Sequence, residues 1–244
     1  MRYALLAIIV GASVAAVVTV VSVNRPVKAK PESTAAYTVQ LREFVGANIL
    51  AGDHLVTRNG TRRANRRIEY DRASGAVRVS RREIHDDKAD ILISETARMK
   101  SVTYRETQTP NKMPPLFDVS GVNPCAPSDK TIGSEAIHGL KTYKITTAED
   151  PRRHTTWTVW QAPELDCEVV QQQITDRNGR IEARTELISY SSVADEKLFY
   201  DPPDYPNVAP SQLTIAELPG IPAADLQNVK DQLVLADQRW AKGK

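Results

Sequence analysis

The sequence predicts a mainly β protein with an antiparallel sheet, an α-helix at its C-terminus and a transmembrane helix at its N-terminus. Residues Tyr3 to Val23 carry no charge. Short segments in which apolar and polar residues alternate, separated by turn residues, continue from about residue 35 to residue 190. Apolar residues at helical spacing then close the chain. We divide it into an anchor or signal segment (1–25), a linker (26–34), a β-domain (35–206) and a proline-rich crossing with a helix (207–244).

The N-terminal apolar run is long enough to span a bilayer. At about 1.5 Å per helical residue it would extend for about 31 Å, close to the ~30 Å hydrocarbon core. The apolar core of a secretory signal is shorter, about 7–15 residues. The small-residue sites near its end are poor for cleavage, because Lys28 lies inside one and the other lies within the apolar run. We predict an uncleaved anchor, with a cleaved signal as the alternative. Basic residues flank both sides, so the positive-inside rule does not decide the orientation.

The alternating segments place pairs of apolar side chains on one face of each predicted strand. These pairs are Val77 and Val79, Ile91 and Ile93, Tyr143 and Ile145, and Trp157 and Val159. The clearest hairpin surrounds Asn178-Gly179, a sequence typical of a two-residue type I′ turn. That turn would pair Ile174 with Ala183 and Gln173 with Arg184.

The C-terminal region is predicted to be an extended crossing or a loose tail, followed by a helix. Six prolines between Asp201 and Pro222 exclude a central strand. Apolar residues then follow 3-4-3-4 spacing: Leu226, Val229, Leu233, Ala236 and Trp240. Two interpretations stay open: this stripe packs on the sheet, or it docks a protein partner through Leu226, Val229, Leu233 and Trp240.

The formal charge of +2 and pI of about 8.5 indicate no particular class of partner. The only two cysteines, Cys125 and Cys167, would form one disulfide in an exported protein; two buried reduced thiols are the alternative. The four histidines lack metal-ligand spacing, and His85-Asp86-Asp87 with Asp90 is typical of a solvated loop, so we predict no metal site. No sequence feature offers an activated nucleophile or a cofactor motif, which favours a protein that is not an enzyme and needs no cofactor.

Arginine is concentrated between residues 58 and 82. Four of these arginines, Arg62, Arg63, Arg66 and Arg67, are candidates for contact with an anionic surface. A solvated sheet face is the other interpretation, because adjacent residues of a strand point to opposite faces. Nucleic acid is not expected, since Tyr70 is the only aromatic residue nearby for base stacking. Trp157 and Trp160 also point to opposite faces, so we expect at least one of them to line something other than the main core.

Four segments resemble the periplasmic outer-membrane lipoprotein-sorting family, the LolA-like superfamily. They are Ile132–Tyr143 (IGSEAIHGLKTY), Trp157–Cys167 (WTVWQAPELDC), Asn178-Gly179 and Lys197–Tyr205 (KLFYDPPDY). The match covers roughly residues 130–206. The resemblance implies a strongly curved half-barrel sheet, with helices over its concave apolar side, that carries lipids or lipoproteins. The anchor, the cysteine pair and the arginine-rich hairpins are not explained by it.

Together these features predict a membrane-tethered domain that faces the periplasm and binds an acyl chain, a lipid or a lipoprotein. The predicted apolar lining is Ile91, Ile93, Tyr143, Ile145, Trp157 and Val159. The partners would be this ligand, the inner membrane and an envelope protein. An interaction or sensor module that docks its partner through the C-terminal helix is the alternative, and a secreted or periplasmic location is the alternative to the membrane anchor.

Overall fold

The computed structural model of the chain describes residues 35–46, 48–104, 131–147, 150, 154–218 and 223–242. The predicted anchor, the linker and Cys125 lie outside these ranges. Among the described residues, no helix is long and apolar enough to span a membrane.

The fold is one open, curled antiparallel sheet of eleven strands, which confirms the mainly β prediction. The strands are β1 (Ala36–Val45), β2 (Ile49–Asn59), β3 (Arg62–Tyr70), β4 (Val77–His85), β5 (Ala89–Ser94), β6 (Met99–Tyr104), β7 (Thr131–Ile137), β8 (Leu140–Thr146), β9 (Thr155–Ala162), β10 (Glu168–Asp176) and β11 (Ile181–Ser191). Their spatial order is β6-β5-β4-β3-β2-β1-β11-β10-β9-β8-β7. The sheet is therefore two meanders, β1–β6 and β7–β11, joined where β1 pairs with β11.

The register of the β10–β11 hairpin is as predicted, but its turn is not. Ile174 lies opposite Ala183 and Gln173 opposite Arg184. Only Gly179 has a positive φ, and the backbone N–H of Gly179 donates to the carbonyl of Asp176 over 3.0 Å. The carboxylate of Asp176 also accepts the backbone N–H groups of Asn178 and Arg180. These bonds stabilise a longer turn, and an irregularity beside Ile174 restores the predicted pairing.

The segment after β11 crosses one face of the sheet and then closes an edge. A 3-10 turn (Glu196–Phe199) buries Leu198 and Phe199. Farther along, the backbone N–H of Lys100 donates to Pro206, and that of Val208 donates to Lys100. Pro202, Pro203 and Pro206 therefore lie in an ordered extended crossing that covers the outer edge of β6, one of the two predicted outcomes.

Two helices follow the crossing. A short helix, α1 (Pro210–Ala216), starts at a proline, which suits a first helical position. The second, α2 (Ala223–Lys242), is the predicted C-terminal helix. The hydroxyl of Ser211 donates to the carboxylate of Asp237 over 2.5 Å, and the indole N–H of Trp240 donates to Asn207 over 3.0 Å, so α2 is held on α1 and the crossing.

Two apolar clusters hold the sheet together. The first joins β1 to β8–β11 and is formed by Tyr37, Val39, Leu41, Leu140, Trp160, Ala162, Leu165, Val170 and Leu187. The second lies under the 196–199 turn and is formed by Ala64, Ile84, Ile93, Leu198 and Phe199. Each cluster combines strands with a segment distant in the chain, so burial of apolar surface fixes the sheet and its covering segment together.

Candidate functional site

The six predicted lining residues do not share one face of the sheet. Ile91 lies opposite Ile84 on β4. Val159 lies opposite Ile145. A row of directly opposite residues, one on each intervening strand, runs from Val159 to Val79 on β4: Gln172, Thr185, Glu43, Gly52 and Glu69. Directly opposite residues share a face, whereas Val79 and Ile84 lie five positions apart on one strand and therefore point to opposite faces. We refer to these as the Ile84 face and the Val79 face.

Half of these residues are buried as core. Ile93 and Ile145 are fully buried, and Val159 is 2% exposed. Tyr143, Trp157 and Ile91 are half-buried. None of the six lines either of the two clefts described below. The structure therefore does not assemble them into one ligand-lining surface.

The arginine-rich hairpins are also divided between the two faces. Arg62 and Arg66 lie on the Ile84 face, and Arg63 and Arg67 lie on the Val79 face, as alternation along β3 requires. Arg62 contacts Glu196 at 3.5 Å and lies 4.1 Å above the ring of Phe199. The predicted anionic-surface group is thus not one platform.

On the Val79 face the arginines are neutralised by carboxylates. Arg63 binds Glu168 through two nitrogens, at 3.0 and 3.3 Å, and the phenol of Tyr37 donates to the same carboxylate over 2.9 Å. Burial and the charge of Glu168 raise the pKa of Tyr37. Arg67 binds Glu43 at 3.1 Å. These contacts tie β1 and β3 to each other and to the start of β10.

Arg66 differs from its neighbours. Its side chain is exposed, and no carboxylate contacts it among the described residues. It lies where two adjacent clefts on the Ile84 face meet. The first, of about 230 Å³, is lined by Gln40, Asp53, His54, Leu55, Arg66 and Ile68. The second, of about 280 Å³, is lined by Leu55, Arg66, Arg82, Glu95, Asp195, Lys197 and Leu198.

We call these two adjoining cavities the Arg66 cleft. Apolar side chains of Leu55, Ile68 and Leu198 form part of its walls, and Arg66 presents an uncompensated positive charge between them. Of these residues, Arg66 alone has a binding role predicted from the sequence. Ile68 is a single apolar residue among polar neighbours, Leu55 belongs to an apolar pair with Val56, and Leu198 is brought in by a turn more than 100 residues away in the chain.

The buried Arg82 fixes the cover of this cleft. Its guanidinium binds Glu95 at 2.9 Å and donates to the carbonyl oxygens of Lys197 and Leu198 over 3.1 and 3.3 Å. The hydroxyl groups of Thr38 and Thr57 accept the backbone N–H of Asp195 at the start of the same turn. The 196–199 turn is therefore an ordered wall of the cleft.

The loop that follows His85 is stabilised by charged side chains of the domain itself. Asp86 accepts the backbone N–H groups of Lys88 and Ala89, as expected for a solvated loop. In the described part of the chain no group of potential ligands could hold a metal ion. Burial lowers the pKa of His85, but the hydrogen bond with Asp90 at 2.8 Å and the carboxylate of Glu83, 3.8 Å away, outweigh it and raise the pKa to about 9.

This shift predicts a pH-dependent stability. Because the folded pKa of about 9 exceeds the unfolded value of 6.5, the stabilisation is fully present below pH 6.5 and is lost as pH rises through 9. Denaturant titrations should show that, between pH 6 and pH 10, the free energy of unfolding of the wild-type protein falls by about 3 kcal/mol more than that of a His85→Gln variant. A His138→Gln variant, altered at an exposed turn, should track the wild type. If the free energy of unfolding changed with pH in the same way in the wild type and in His85→Gln, the ionic role of His85 would be contradicted.

The predicted docking stripe of α2 faces the domain. Leu226, Val229, Leu233 and Trp240 are all half-buried. On the outer side of the helix, Val234 and Leu235 are 48% and 60% exposed. The helix contacts α1, the crossing and β6, whereas the packing of its stripe on the sheet and its docking of a partner both stay predictions.

The predicted disulfide involves Cys125, which lies outside the described residues. Cys167 is 7% exposed and adopts a positive φ of 67° at the start of β10. Its backbone N–H donates to Ala162 over 3.0 Å. The pairing with Cys125 stays a prediction.

No protein-family model and no curated protein sequence matches this chain. Among solved structures, an uncharacterized conserved protein from Thermus thermophilus matches 72% of this chain and 90% of its own, with 8% identity and a TM-score of 0.41. The MucA/MucB complex of Pseudomonas aeruginosa matches at 9% identity over 68% of this chain and 56% of that chain, with a TM-score of 0.34. An outer membrane lipoprotein-sorting protein domain from Vibrio parahaemolyticus matches at 8% identity over 66% and 86%, with a TM-score of 0.24.

The similar structures thus include a lipoprotein-sorting domain. These likenesses are loose, and the resemblance of residues 130–206 to the LolA-like superfamily stays an expectation from the sequence. This chain corresponds to little more than half of the chain in the MucA/MucB complex.

Proposed function

We propose that this chain is a non-enzymatic binding domain of the bacterial envelope that holds an acyl chain, a lipid or a lipoprotein in the Arg66 cleft. One observation carries the proposal: an exposed arginine without a carboxylate partner in the described part of the chain lies between the apolar side chains of Leu55, Ile68 and Leu198. An amphiphile, with an apolar body and a polar head, matches this combination of surfaces.

We further propose that the domain faces the periplasm and is held at the inner membrane by residues Tyr3 to Val23. The length of that apolar run supports the tether. An isolated cysteine pair supports an oxidising compartment. The loose likeness to a lipoprotein-sorting domain agrees with this location.

The size of the cleft limits what it can hold. Its two cavities, of about 230 and 280 Å³, lie just below the ~300–1,000 Å³ typical of small-molecule pockets. Ile93 belongs to the cluster under the 196–199 turn, and Ile145 is fully buried. The ligand therefore lies along the sheet surface, beside the 196–199 turn, rather than inside the sheet.

Native mass spectrometry of detergent-free protein tests the proposal. We expect co-purifying lipid on the wild-type protein and a clear loss of it in an Ile68→Gln variant, because a polar side chain replaces an apolar wall of the cleft. An Ile132→Gln variant, which makes the same change at a 61% exposed position on β7, should retain the lipid. Repeatedly empty wild-type preparations, or equal loss in both folded variants, would contradict the proposal.

A further inference from the structure

Two arginines of the Arg66 cleft lie directly opposite each other. Arg66 on β3 is the cross-strand partner of Arg82 on β4. Side chains at such positions leave the sheet about 5 Å apart, and like charges placed this way are destabilising. A negative charge beside each arginine would remove that cost.

The same two strands carry a matched pair that is compensated. Arg67 lies opposite Arg81 on the Val79 face. There Arg67 binds Glu43 at 3.1 Å, and Arg81 binds Glu217 of the segment after α1. Each arginine of this pair has its own carboxylate.

The pair in the cleft has one carboxylate for two arginines. Glu95 is bound to Arg82 at 2.9 Å, and the phenol of Tyr205 donates to it over 3.3 Å. The other acid of the second cavity, Asp195, accepts the backbone N–H of Lys197 over 3.1 Å and caps the 196–199 turn. Lys197, which is exposed at the cleft, adds a further positive charge.

Arg82 is also an unusually buried donor. Its side chain is only 7% exposed, and its Nε–H has no hydrogen-bond partner among the described residues, which is also true of the Nε–H groups of Arg67 and Arg81. What the pair in the cleft lacks is a second negative charge, which an anion there would supply. The planar fork of arginine binds carboxylate and phosphate groups through two parallel hydrogen bonds.

We propose that Arg66 and Arg82 bind the anionic head group, a carboxylate or a phosphate, of a single-chain amphiphile. The inference rests on the proposed function and assigns its ligand class. The head lies in the second cavity, and the chain follows Leu55 and Ile68 into the first. Two cavities of this size suit one acyl chain, as in a fatty acid or a lysophospholipid, rather than a two-chain lipid.

The test compares four probes on the purified full-length protein by isothermal titration calorimetry: dodecanoic acid, a single-chain lysophosphatidic acid, neutral monododecanoylglycerol and inorganic phosphate. An Arg66→Gln variant should bind both anionic amphiphiles at least about tenfold more weakly, whereas the neutral one should be unaffected. Arg66→Lys should recover part of the loss. An Arg177→Gln variant removes the same charge from a distant exposed turn and should bind all probes like the wild type.

Two patterns would overturn the inference and leave the proposed function intact. In one, Arg66→Gln weakens neutral and anionic amphiphiles equally or not at all. In the other, inorganic phosphate binds as tightly as the lysophosphatidic acid, which would make a free anion the ligand of the arginine pair. Failure of every amphiphile to bind the wild-type protein would instead contradict the proposed function itself.

Discussion

Replacing Arg81 by methionine is expected to lower the free energy of unfolding by about 3–5 kcal/mol, since it leaves a buried carboxylate without its counter-charge. The side chain of Glu217 is only 2% exposed, Arg81 binds its Oε2 atom, and its Oε1 atom has no hydrogen-bond partner among the described residues. This ion pair connects β4 to the segment that follows α1. Urea unfolding followed by circular dichroism measures the effect.

Two controls separate the ion pair from a general loss of charge. Arg78 pairs with Glu69, but it is 51% exposed, so Arg78→Met should cost no more than about 1 kcal/mol. Combining Arg81→Met with Glu217→Leu removes both charges and should recover much of the lost stability. A double variant as unstable as Arg81→Met alone would show that the buried charge is not the cause.

Replacing Ile93 by alanine is expected to destabilise the domain by about 2–5 kcal/mol without changing its affinity for an amphiphile. Ile93 is fully buried in the cluster that contains Leu198 and Phe199, and it lines neither cavity of the Arg66 cleft. Ile132→Ala, at a 61% exposed position, is the matched control and should have little effect. Stability and dodecanoic acid binding are measured on the same preparations.

The opposite pattern would support the interpretation from sequence. If Ile93→Ala kept its stability but lost the ligand, the apolar pairs of the strands would line the binding site after all. The structure argues against this because the volume around Ile93 is already filled by Leu198 and Phe199.

Alternation along the chain was enough to predict the strands but not the faces they share. Ile145 alternates with polar residues, and Ile91 and Ile93 alternate with Asp90, Leu92 and Ser94, so each strand was expected to turn one face inward. Whether those faces coincide depends on every register shift between them, including those within β1 and β10. Such irregularities depend on local backbone hydrogen bonds, which periodicity does not report.

Turn chemistry was predicted only in part for similar reasons. Asn178-Gly179 marks the β10–β11 turn, but the carboxylate of Asp176 accepts two backbone N–H groups and favours a longer one. Helix α1 was missed because the prolines around it indicated extended chain, although Pro210 itself suits the first position of a helix.

The electrostatic part of the site was the least predictable. Alternation predicted correctly that the arginine doublets divide between two faces. The carboxylates that neutralise Arg63 and Arg81 are Glu168 and Glu217, each more than 100 residues away in the chain. Once these long-range pairs are known, Arg66 is the arginine of β3 that has no carboxylate partner among the described residues.

Photo-crosslinking with a diazirine-bearing fatty acid tests the central claim most directly. We expect mass spectrometry of the labelled protein to place the probe on β2 and β3 near Leu55 and Ile68 and on the 196–199 turn, with labelling suppressed by excess dodecanoic acid and reduced in Arg66→Gln. Labelling concentrated on β8 and β9 around Ile145 and Val159, unaffected by Arg66→Gln, would contradict the assignment of the ligand to the Arg66 cleft.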